Sequence, residues 1–480
     1  SATTMSPATV NTTLRTSQVI PGTTVKFTAA AKVGYSFSHW SGLPGSATVA
    51  GDVVTFTMPV ANVAITATYT ANVFGGASSQ TLGSFAGLVR PSVGTVSNNS
   101  TEGFVSGTLT AASGLFAGKL LIDGQAIDCG GKFYGNGDFF FTAGTTLVPT
   151  KTLSVGRTFD MTIAGDVITA TITDSTLGNS TGTIKRALYS TASKVPEALL
   201  NVIVAPATTA TKGLFTLGFP SKAQSPVLDT KLFPQGDGFG SITVSDVGVV
   251  NLAGTLADGT AITASSILLA GNECPIFVQL NTPGSTTVKG GSFGGVLIFD
   301  STQADSDVSG VDLRWFRPLV LQPTTTTPPT PALDLYTAGW PEGIKVDAVG
   351  ALYDASKDLQ STLGITSTAA ANTNLVFDNL RYRINTTTYG VKTSSFTTIK
   401  VAANVISGLP ASTAASTATL TAVQSSGAFS GTVKADSTSS PAYKGILVQK
   451  GANKGGYGYV ISTAVGDRDP ESGGVSLTKK

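Results

Sequence analysis

A short phrase, Ser-Gly-x-Phe-x-Gly, occurs twice in this chain and constrains its fold more than any other feature. The copies span residues 113–118 and 426–431, and a looser echo lies at residues 291–295. Each full copy leads into a run typical of a β-strand, at residues 119–122 and 432–434. Chains that duplicate one supersecondary unit usually act through shape rather than through one reactive centre. The repetition therefore predicts a modular protein.

The composition favours an all-β protein. Thr and Val suit a pleated, half-buried surface, and the 55 glycines supply turns. Only 12% of the residues are charged, whereas 41% are hydrophobic. With a mean hydropathy of +0.22, the chain has the apolar surface that disordered chains lack. Its 480 residues predict about three domains.

Charge and hydropathy argue against two classes of partner. The net charge is +2 and the basic residues are scattered, so we expect neither nucleic acid nor an anionic membrane surface. No apolar run approaches the ~20 residues that a membrane-spanning helix needs. The best run, residues 199–205, is interrupted by Asn201. Because the chain starts at Ser1 without an initiator Met or a signal peptide, we expect a processed protein or a piece of a longer one.

Residues 1–72 carry a distinctive set of motifs. They read Gly-Thr-Thr-Val at 22–25, Gly-Tyr-x-Phe-x-x-Trp at 34–40, and Thr-Met-Pro at 57–59 before an alternating strand. This set resembles the InlB B-repeat family, the small β-grasp-like modules of bacterial surface proteins. The resemblance implies an extracellular or cell-surface location and a role in adhesion or spacing. It brings no catalysis.

The rest of the chain reads as antiparallel β units of the barrel or sandwich type. Asp-Gly turn signals at residues 123–124 and 258–259 follow comparable strands, which predicts two related half-units. Residues 323–332, rich in Pro and Thr, are typical of a semi-rigid linker. Short helices are expected within residues 195–200 and 354–363. The predicted organisation is therefore a module at 1–72, half-units at 73–205 and 206–322, the linker at 323–332, and a C-terminal β unit at 333–480.

Four segments after residue 73 share pattern and spacing with a second group of proteins. They are residues 238–240, 256–260, 309–315 and 443–450. In these segments the chain resembles uncharacterised β-rich regions at the C-terminal end of large exported proteins from Verrucomicrobia and Planctomycetes. The resemblance implies export and brings no activity.

Catalytic groups are scarce, and the chain is not expected to be an enzyme. His39 is the single histidine, so an HExxH motif or a His-rich metal site is excluded. Nothing in the sequence places His39 beside a nucleophile and a carboxylate, as a catalytic triad requires. The Asp residues lie mainly in turn contexts, where they cap the backbone. A hydrolase with two catalytic Asp residues stays open as an alternative.

Calcium is the one cofactor that the sequence suggests. Asp305, Asp307 and Asp312 supply oxygen donors at spaced positions, and Gly310 lies where a binding loop must bend. The segment departs from an EF-hand because Phe316 stands at the twelfth position, where a bidentate Glu would close the site. Solvated turns are the alternative, and without calcium no cofactor is expected.

Two further pairs of residues are candidates. Cys129 and Cys274 would form a disulfide in an exported protein, and two separately buried thiols are the alternative. Trp315 and Trp340 are candidate sugar-binding aromatics, whereas aromatic residues in β modules more often belong to the core.

These features predict a non-catalytic structural subunit of a bacterial surface or extracellular assembly, either a filament or a layer. Unpaired strand edges of such modules are templates for self-association. The polar segment Ser1–Ser17 is the candidate donor strand. A surface adhesin or carbohydrate-binding protein, with surface glycans as partners, is the alternative.

Overall fold

A computed structural model describes residues 4–5, 19–29, 35–71, 82–110, 114–134, 137–200, 213–220, 233–280, 291–318, 336, 339–367, 371–383, 389–410, 416–434, 440–462 and 471–480. The chain is mostly β, and its described strands pair antiparallel except for one parallel pair near the N-terminus. The sheets include near-closed barrels and a half-barrel, which confirms the all-β prediction. It divides into two compact units. The first comprises residues 1–97 and 101–187, and the second comprises residues 98–100 and 188–480.

The described part of the N-terminal module holds six strands. They are β1 (Thr4–Met5), β2 (Thr24–Thr28), β3 (Tyr35–Ser41), β4 (Thr48–Ala50), β5 (Val53–Thr57) and β6 (Thr66–Ala71). The sheets run β1-β2-β5-β4 and β3-β6. Side chains alternate between the two faces of β5, so Val54 and Phe56 point to the same face and form a small core with Val25. Most of the predicted donor segment lies outside the described residues, and its described part, β1, pairs in parallel with β2 of its own chain.

The first barrel follows within the same unit. Its strands are β7 (Gly83–Pro91), β8 (Gly103–Leu109), β9 (Leu115–Ile122), β10 (Gln125–Asp128), β11 (Gly131–Phe133), β12 (Phe139–Ala143), β13 (Thr146–Val148), β14 (Lys151–Ser154), β15 (Arg157–Ala164), β16 (Val167–Asp174) and β17 (Ser180–Arg186). The sheet runs β13-β12-β11-β9-β8-β7-β17-β16-β15-β14. A bridge between Asp138 and Thr162 brings its two ends together. Phenylalanines fill the interior, including Phe116, Phe133 and Phe159.

An aromatic cluster joins the module to the first barrel. The rings of Phe37 and Tyr134 lie 6.4 Å apart at 77°, and Tyr134 also meets Phe140 at 5.0 Å. Phe37 and Tyr134 are both buried in this cluster together with Ala29. Aromatic pairs in this geometry contribute beyond the area they bury. The module and the barrel therefore share a core, although the sequence shows a boundary near residue 72.

The second unit begins with another near-closed barrel. Its elements are α1 (Glu197–Leu200), β18 (Leu214–Phe219), β19 (Gly238–Val244), β20 (Val249–Thr255), β21 (Ala261–Ile267), β22 (Glu273–Gln279), β23 (Ser292–Phe299), β24 (Val308–Arg317) and β25 (Trp340–Leu352). The sheet runs β21-β20-β19-β18-β25-β24-β23-β22. Strand β25 pairs with β24 and with β18, so the second barrel continues past residue 322 and takes in a strand that the sequence assigned to the C-terminal unit. The predicted linker, residues 323–332, lies outside the described residues.

The last sheet is a half-barrel. Its elements are α2 (Leu359–Thr362), β26 (Thr373–Arg383), β27 (Tyr389–Ala402), β28 (Val405–Ser407), β29 (Thr417–Ala418), β30 (Thr421–Val423), β31 (Ala428–Lys434), β32 (Ala442–Val448), β33 (Gly455–Ile461) and β34 (Ser472–Lys479). The sheet runs β28-β27-β26-β34-β33-β32-β31-β29, with β30 also on β31. Helix α2 packs Leu359 against the buried residues of this sheet, capped by Asp358. Both predicted short helices are confirmed, each as a single turn.

The outer face of the half-barrel packs against the second barrel within the second unit. The ring of Tyr457 covers Gly218, where a Cβ would come within 2.5 Å of that ring. Thr216, which is fully buried, donates its hydroxyl to the carbonyl oxygen of Leu447 at 2.6 Å. A glycine under an aromatic ring lets two sheets approach closely. The barrel and the half-barrel therefore meet through a close, hydrogen-bonded contact.

The repeated phrase has the same structural role in both copies. Gly114 and Gly427 adopt φ of 87° and 72°, which favours glycine, and each turns the chain into β9 or β31. A Cβ on Gly114 would lie 2.0 Å from the carbonyl oxygen of Phe133. The phenylalanines of the phrase, Phe116 and Phe429, are both buried in the cores of their sheets. The motif is thus a strand-starting turn followed by a core anchor.

Candidate functional site

The acidic loop predicted to bind calcium is occupied by contacts with the half-barrel. Asp305 accepts a hydrogen bond from the backbone N–H of Ala452 at 2.7 Å. The Nζ of Lys450 lies 2.6 Å from Oδ1 of Asp307 and 2.8 Å from the carbonyl oxygen of Ser301. Oδ2 of Asp307 accepts from the N–H of Leu352 at 2.9 Å. An ammonium group therefore lies where a calcium ion was predicted.

Asp312 lies apart from this arrangement. It stands at a bulge of β24 with φ of 55°, and it pairs with Lys345 on β25 at 3.1 Å. Within the described ranges, no group of three His, Cys, Asp or Glu residues could hold a metal ion. The structure thus does not bring Asp305, Asp307 and Asp312 together as a calcium site. The physical reason is that each carboxylate already has a lysine or backbone N–H partner.

Trp315 and Trp340 are core residues rather than ligand-facing aromatics. Their exposed fractions are 1% and 3%, and their rings meet edge to face at 4.7 Å. The guanidinium of Arg317 lies 5.6 Å from the Trp340 ring, as in a cation–π contact. The sugar-binding prediction fails for this pair because their strands place both rings inside the second barrel.

A buried ion pair lies beside these tryptophans, and the sequence did not reveal it. Arg317 binds Asp258 at 2.5 Å, with side chains only 11% and 1% exposed. Asp258 also accepts from the N–H of Thr260 at 2.9 Å, so the Asp-Gly turn and the end of β24 are tied together. Arg317 stands between Phe316 and Pro318 at the end of β24, and a charged residue in such an apolar setting could have indicated a buried ion pair. Because both charges are paired, the cluster is suited to fixing this end of the barrel.

The same end of the barrel is bonded to the half-barrel. Ser472 donates its hydroxyl to the carbonyl oxygen of Ala257 at 2.5 Å, and its N–H donates to the hydroxyl of Tyr336 at 2.8 Å. Burial raises the pKa of Tyr336 above its ordinary range, so this hydroxyl stays neutral at physiological pH. These contacts and the Lys450 contacts attach the two sheets at opposite ends.

Cys129 and Cys274 are free thiols. Cys129 belongs to the core of the first barrel and Cys274 to that of the second. Burial raises the pKa of each thiol to about 12. The predicted disulfide is therefore not formed, and the alternative of two separately buried thiols describes the structure.

His39 lies at the surface of the N-terminal module. Its side chain is exposed on β3, and its Nδ1 lies 3.1 Å from the hydroxyl oxygen of the neighbouring Ser38. Among the hydrogen bonds of the described residues, this imidazole contacts Ser38, whereas the histidine of a triad is oriented by a buried carboxylate. A search of the described helices also finds none long and apolar enough to cross a membrane.

In the half-barrel, the long strand β27 has a described neighbour strand along only part of its outer side. Strand β27 pairs with β26 from Ile399 to Tyr389, but its other side pairs only over Lys400–Ala402, with β28. No described strand covers Tyr389–Ile399 on that side. The sequence predicted edge pairing but gave no acceptor strand, because sheet order depends on contacts between distant segments.

No curated protein matches the chain. Two solved structures are similar to it at low identity. One is Transferrin Binding Protein B from Haemophilus parasuis Hp5, a vaccine antigen solved as a tryptophan-to-alanine mutant, at 8% identity over 83% of this chain and 76% of that one, with a TM-score of 0.20. The other is the isotype 1 protein of the same name from serogroup B Neisseria meningitidis, at 10% identity over 79% and 66%, with a TM-score of 0.18. Residues 2–73 match the Divergent InlB B-repeat domain family, and this match indicates a bacterial surface protein.

Proposed function

We propose that the chain is a non-catalytic structural subunit of a bacterial surface or extracellular assembly, in which copies associate through sheet edges. The observation that carries this proposal is the uncovered side of β27. A strand edge presents a row of backbone N–H and C=O groups that another strand can pair with. Main-chain pairing of this kind gives affinity without a pocket or a cofactor.

The state of the charged groups supports a structural role. Asp307 of the second barrel pairs with Lys450 of the half-barrel, and Asp258 pairs with Arg317 within the second barrel, so these ionic groups are engaged in holding the second unit together. Buried pairs that are fully engaged are costly to separate. A rigid body with filled cores is what a filament or layer needs from its subunit.

Self-association is tested by sedimentation velocity and negative-stain electron microscopy over a range of concentrations, with and without a calcium chelator. We expect concentration-dependent association that the chelator does not change, because Lys450 rather than calcium neutralises Asp307. Monomers at every concentration would refute the proposal. Loss of polymers on chelation would restore the calcium hypothesis.

An adhesin or carbohydrate-binding protein is the second candidate, and one observation favours it. Strands β18, β22 and β24 all end, and β19, β23 and β25 all begin, at the same end of the second barrel. Ligand sites of β scaffolds are often built by connections gathered at one end. A glycan-array signal that disappears when residues 281–290 are replaced by a short Gly-Ser turn would favour this candidate over the structural one.

A further inference from the structure

We propose that the half-barrel is a hinged lid over one end of the second barrel. We call this end the barrel mouth, where β18, β22 and β24 end and β19, β23 and β25 begin. The lid does not depend on the association of copies through sheet edges. It involves motion within the second unit, in which the half-barrel turns away from the mouth while the barrel stays folded.

The barrel and the half-barrel each have a hydrophobic core of their own. The buried core residues of the barrel lie within residues 195–348, and those of the half-barrel lie within residues 359–477. Hydrogen bonds and a tyrosine ring over a glycine, rather than a shared core cluster, join the two parts. One stretch of chain, residues 353–358, connects β25 to α2. Parts with separate cores and one covalent connection are expected to move relative to each other, so this stretch is the hinge.

The ionic contact between the two parts lies at the hinge end. Strand β25 runs from Trp340 at the mouth to Leu352 beside the hinge. Asp307, which pairs with Lys450 of the half-barrel, also accepts the N–H of Leu352. A rotation displaces the groups near its pivot least. The pair between Lys450 and Asp307 can therefore persist when the lid opens at the mouth.

Four hydrogen bonds, which we call the latch, close the lid at the mouth. The N–H of Gln235 donates to the carbonyl oxygen of Ser472 at 3.1 Å, and the N–H of Asp237 donates to that of Gly458 at 3.0 Å. The other two are the bonds described above that Ser472 makes through its hydroxyl and its N–H. All four join backbone or hydroxyl groups, so the latch can open without separating an ion pair.

An apolar cavity lies under the latch. Gly236, which stands between the two latch amides, lines this cavity together with Ala257 and Trp315. The Nε1 of Trp315 is buried and has no hydrogen-bond partner among the described residues. A buried donor without an acceptor is unfavourable, and water or the acceptor group of a ligand relieves it. Opening of the lid therefore uncovers an apolar mouth that has a hydrogen-bond donor to offer.

Hydrogen exchange of the latch amides, those of Gln235 and Asp237, tests the lid on the full chain. In the wild type they should exchange at least about tenfold faster than the amides of β19 and β20, with little dependence on urea below the unfolding transition. Tyr336→Phe combined with Ser472→Ala removes two latch bonds and should accelerate exchange at Asp237 about tenfold or more. Because Asp237 bonds Gly458 and not Ser472, it responds only if the latch opens as one unit.

Tyr443→Phe is the matched control, because this tyrosine donates its hydroxyl to a carbonyl oxygen of the half-barrel itself. That bond is kept when the lid opens, so the latch amides should exchange as in the wild type. If Asp237 does not respond to the combined latch variant, residues 235–237 fluctuate alone and the lid is overturned. Exchange of the latch amides with the rate and the urea dependence of β19 would show only global unfolding and would also overturn it.

Thiol labelling tests whether the opening reaches the cavity. Ala257→Cys places a thiol on the cavity lining, whereas Cys274 in the core of the same barrel reports unfolding of the barrel. N-ethylmaleimide should label the introduced thiol at least about tenfold faster than Cys274. The combined latch variant should accelerate this labelling in parallel with exchange at Asp237. Equal labelling of both thiols, or an unlabelled residue 257 while Asp237 exchanges, would contradict a lid over the mouth.

Discussion

Replacing Lys450 tests whether the acidic loop acts as an internal clamp. Lys450→Met keeps most of the apolar stem but removes the ammonium, which bonds Asp307 at 2.6 Å and the carbonyl oxygen of Ser301 at 2.8 Å. The side chains of Lys450 and Asp307 are 25% and 13% exposed. Hydrogen bonds to charged groups contribute about 1.5–3 kcal/mol, and the residual exposure favours the middle of that range. We expect the second unit to lose about 2 kcal/mol.

The assay is urea unfolding followed by tryptophan fluorescence, because Trp315 and Trp340 report from the core of the second barrel. A double-mutant cycle with Asp307→Asn should give a coupling energy of about 1.5 kcal/mol. Lys345→Met is the matched control, since its pair with Asp312 is 46% and 40% exposed and should contribute less than about 0.5 kcal/mol. A coupling energy below about 0.3 kcal/mol, or stabilisation of the wild type by calcium, would refute the clamp.

Three further results are expected. Gly114→Ala should destabilise the first unit by well over the ~1 kcal/mol that we expect for Gly165→Ala, as measured by thermal unfolding. Both glycines have positive φ, but only Gly114 lies against a carbonyl oxygen that an added Cβ would meet. Equal losses of stability would contradict this packing argument. Cys129 and Cys274 should not react with Ellman's reagent at pH 8 until the protein is unfolded, because burial raises each thiol pKa to about 12 and keeps the thiol protonated; rapid labelling of the folded protein would contradict their burial. Asn372→Ala should lower the free energy of unfolding, measured in urea, by about 2–4 kcal/mol, because the Asn372 side chain hydrogen-bonds both the N–H and the carbonyl oxygen of Val401. A decrease below about 1 kcal/mol would contradict that role.

Several structural features were predictable because their causes are local. Alternation over a few residues indicated strands such as β5, and Asp-Gly at 123–124 lies in the tight turn between β9 and β10. The repeated phrase encodes a glycine with positive φ and a buried phenylalanine within six residues. The conformation of motifs of this length is determined by their own residues, so they can be recognised without knowing the fold.

The candidate site was predicted less well because its partners are distant in sequence. Asp307 was recognised as a ligand, but Lys450, its actual partner, lies in the following sheet. Trp315 was recognised as a large aromatic, but its burial depends on β25 returning to complete the second barrel. A carboxylate or an indole has the same side-chain chemistry in either setting. Its role is therefore set by what packs against it.

The sequence by itself determined the all-β class, the surface-type module at residues 2–73, and the turns that start and end many strands. Only the tertiary structure decided that β25 belongs to the second barrel, that the two cysteines lie in separate cores, and that β27 forms the long strand beside β26 in the half-barrel. The physical reason is the distance along the sequence over which each interaction acts. Backbone propensity and side-chain alternation act over a few residues, whereas sheet order and burial result from contacts between segments that are far apart in the sequence.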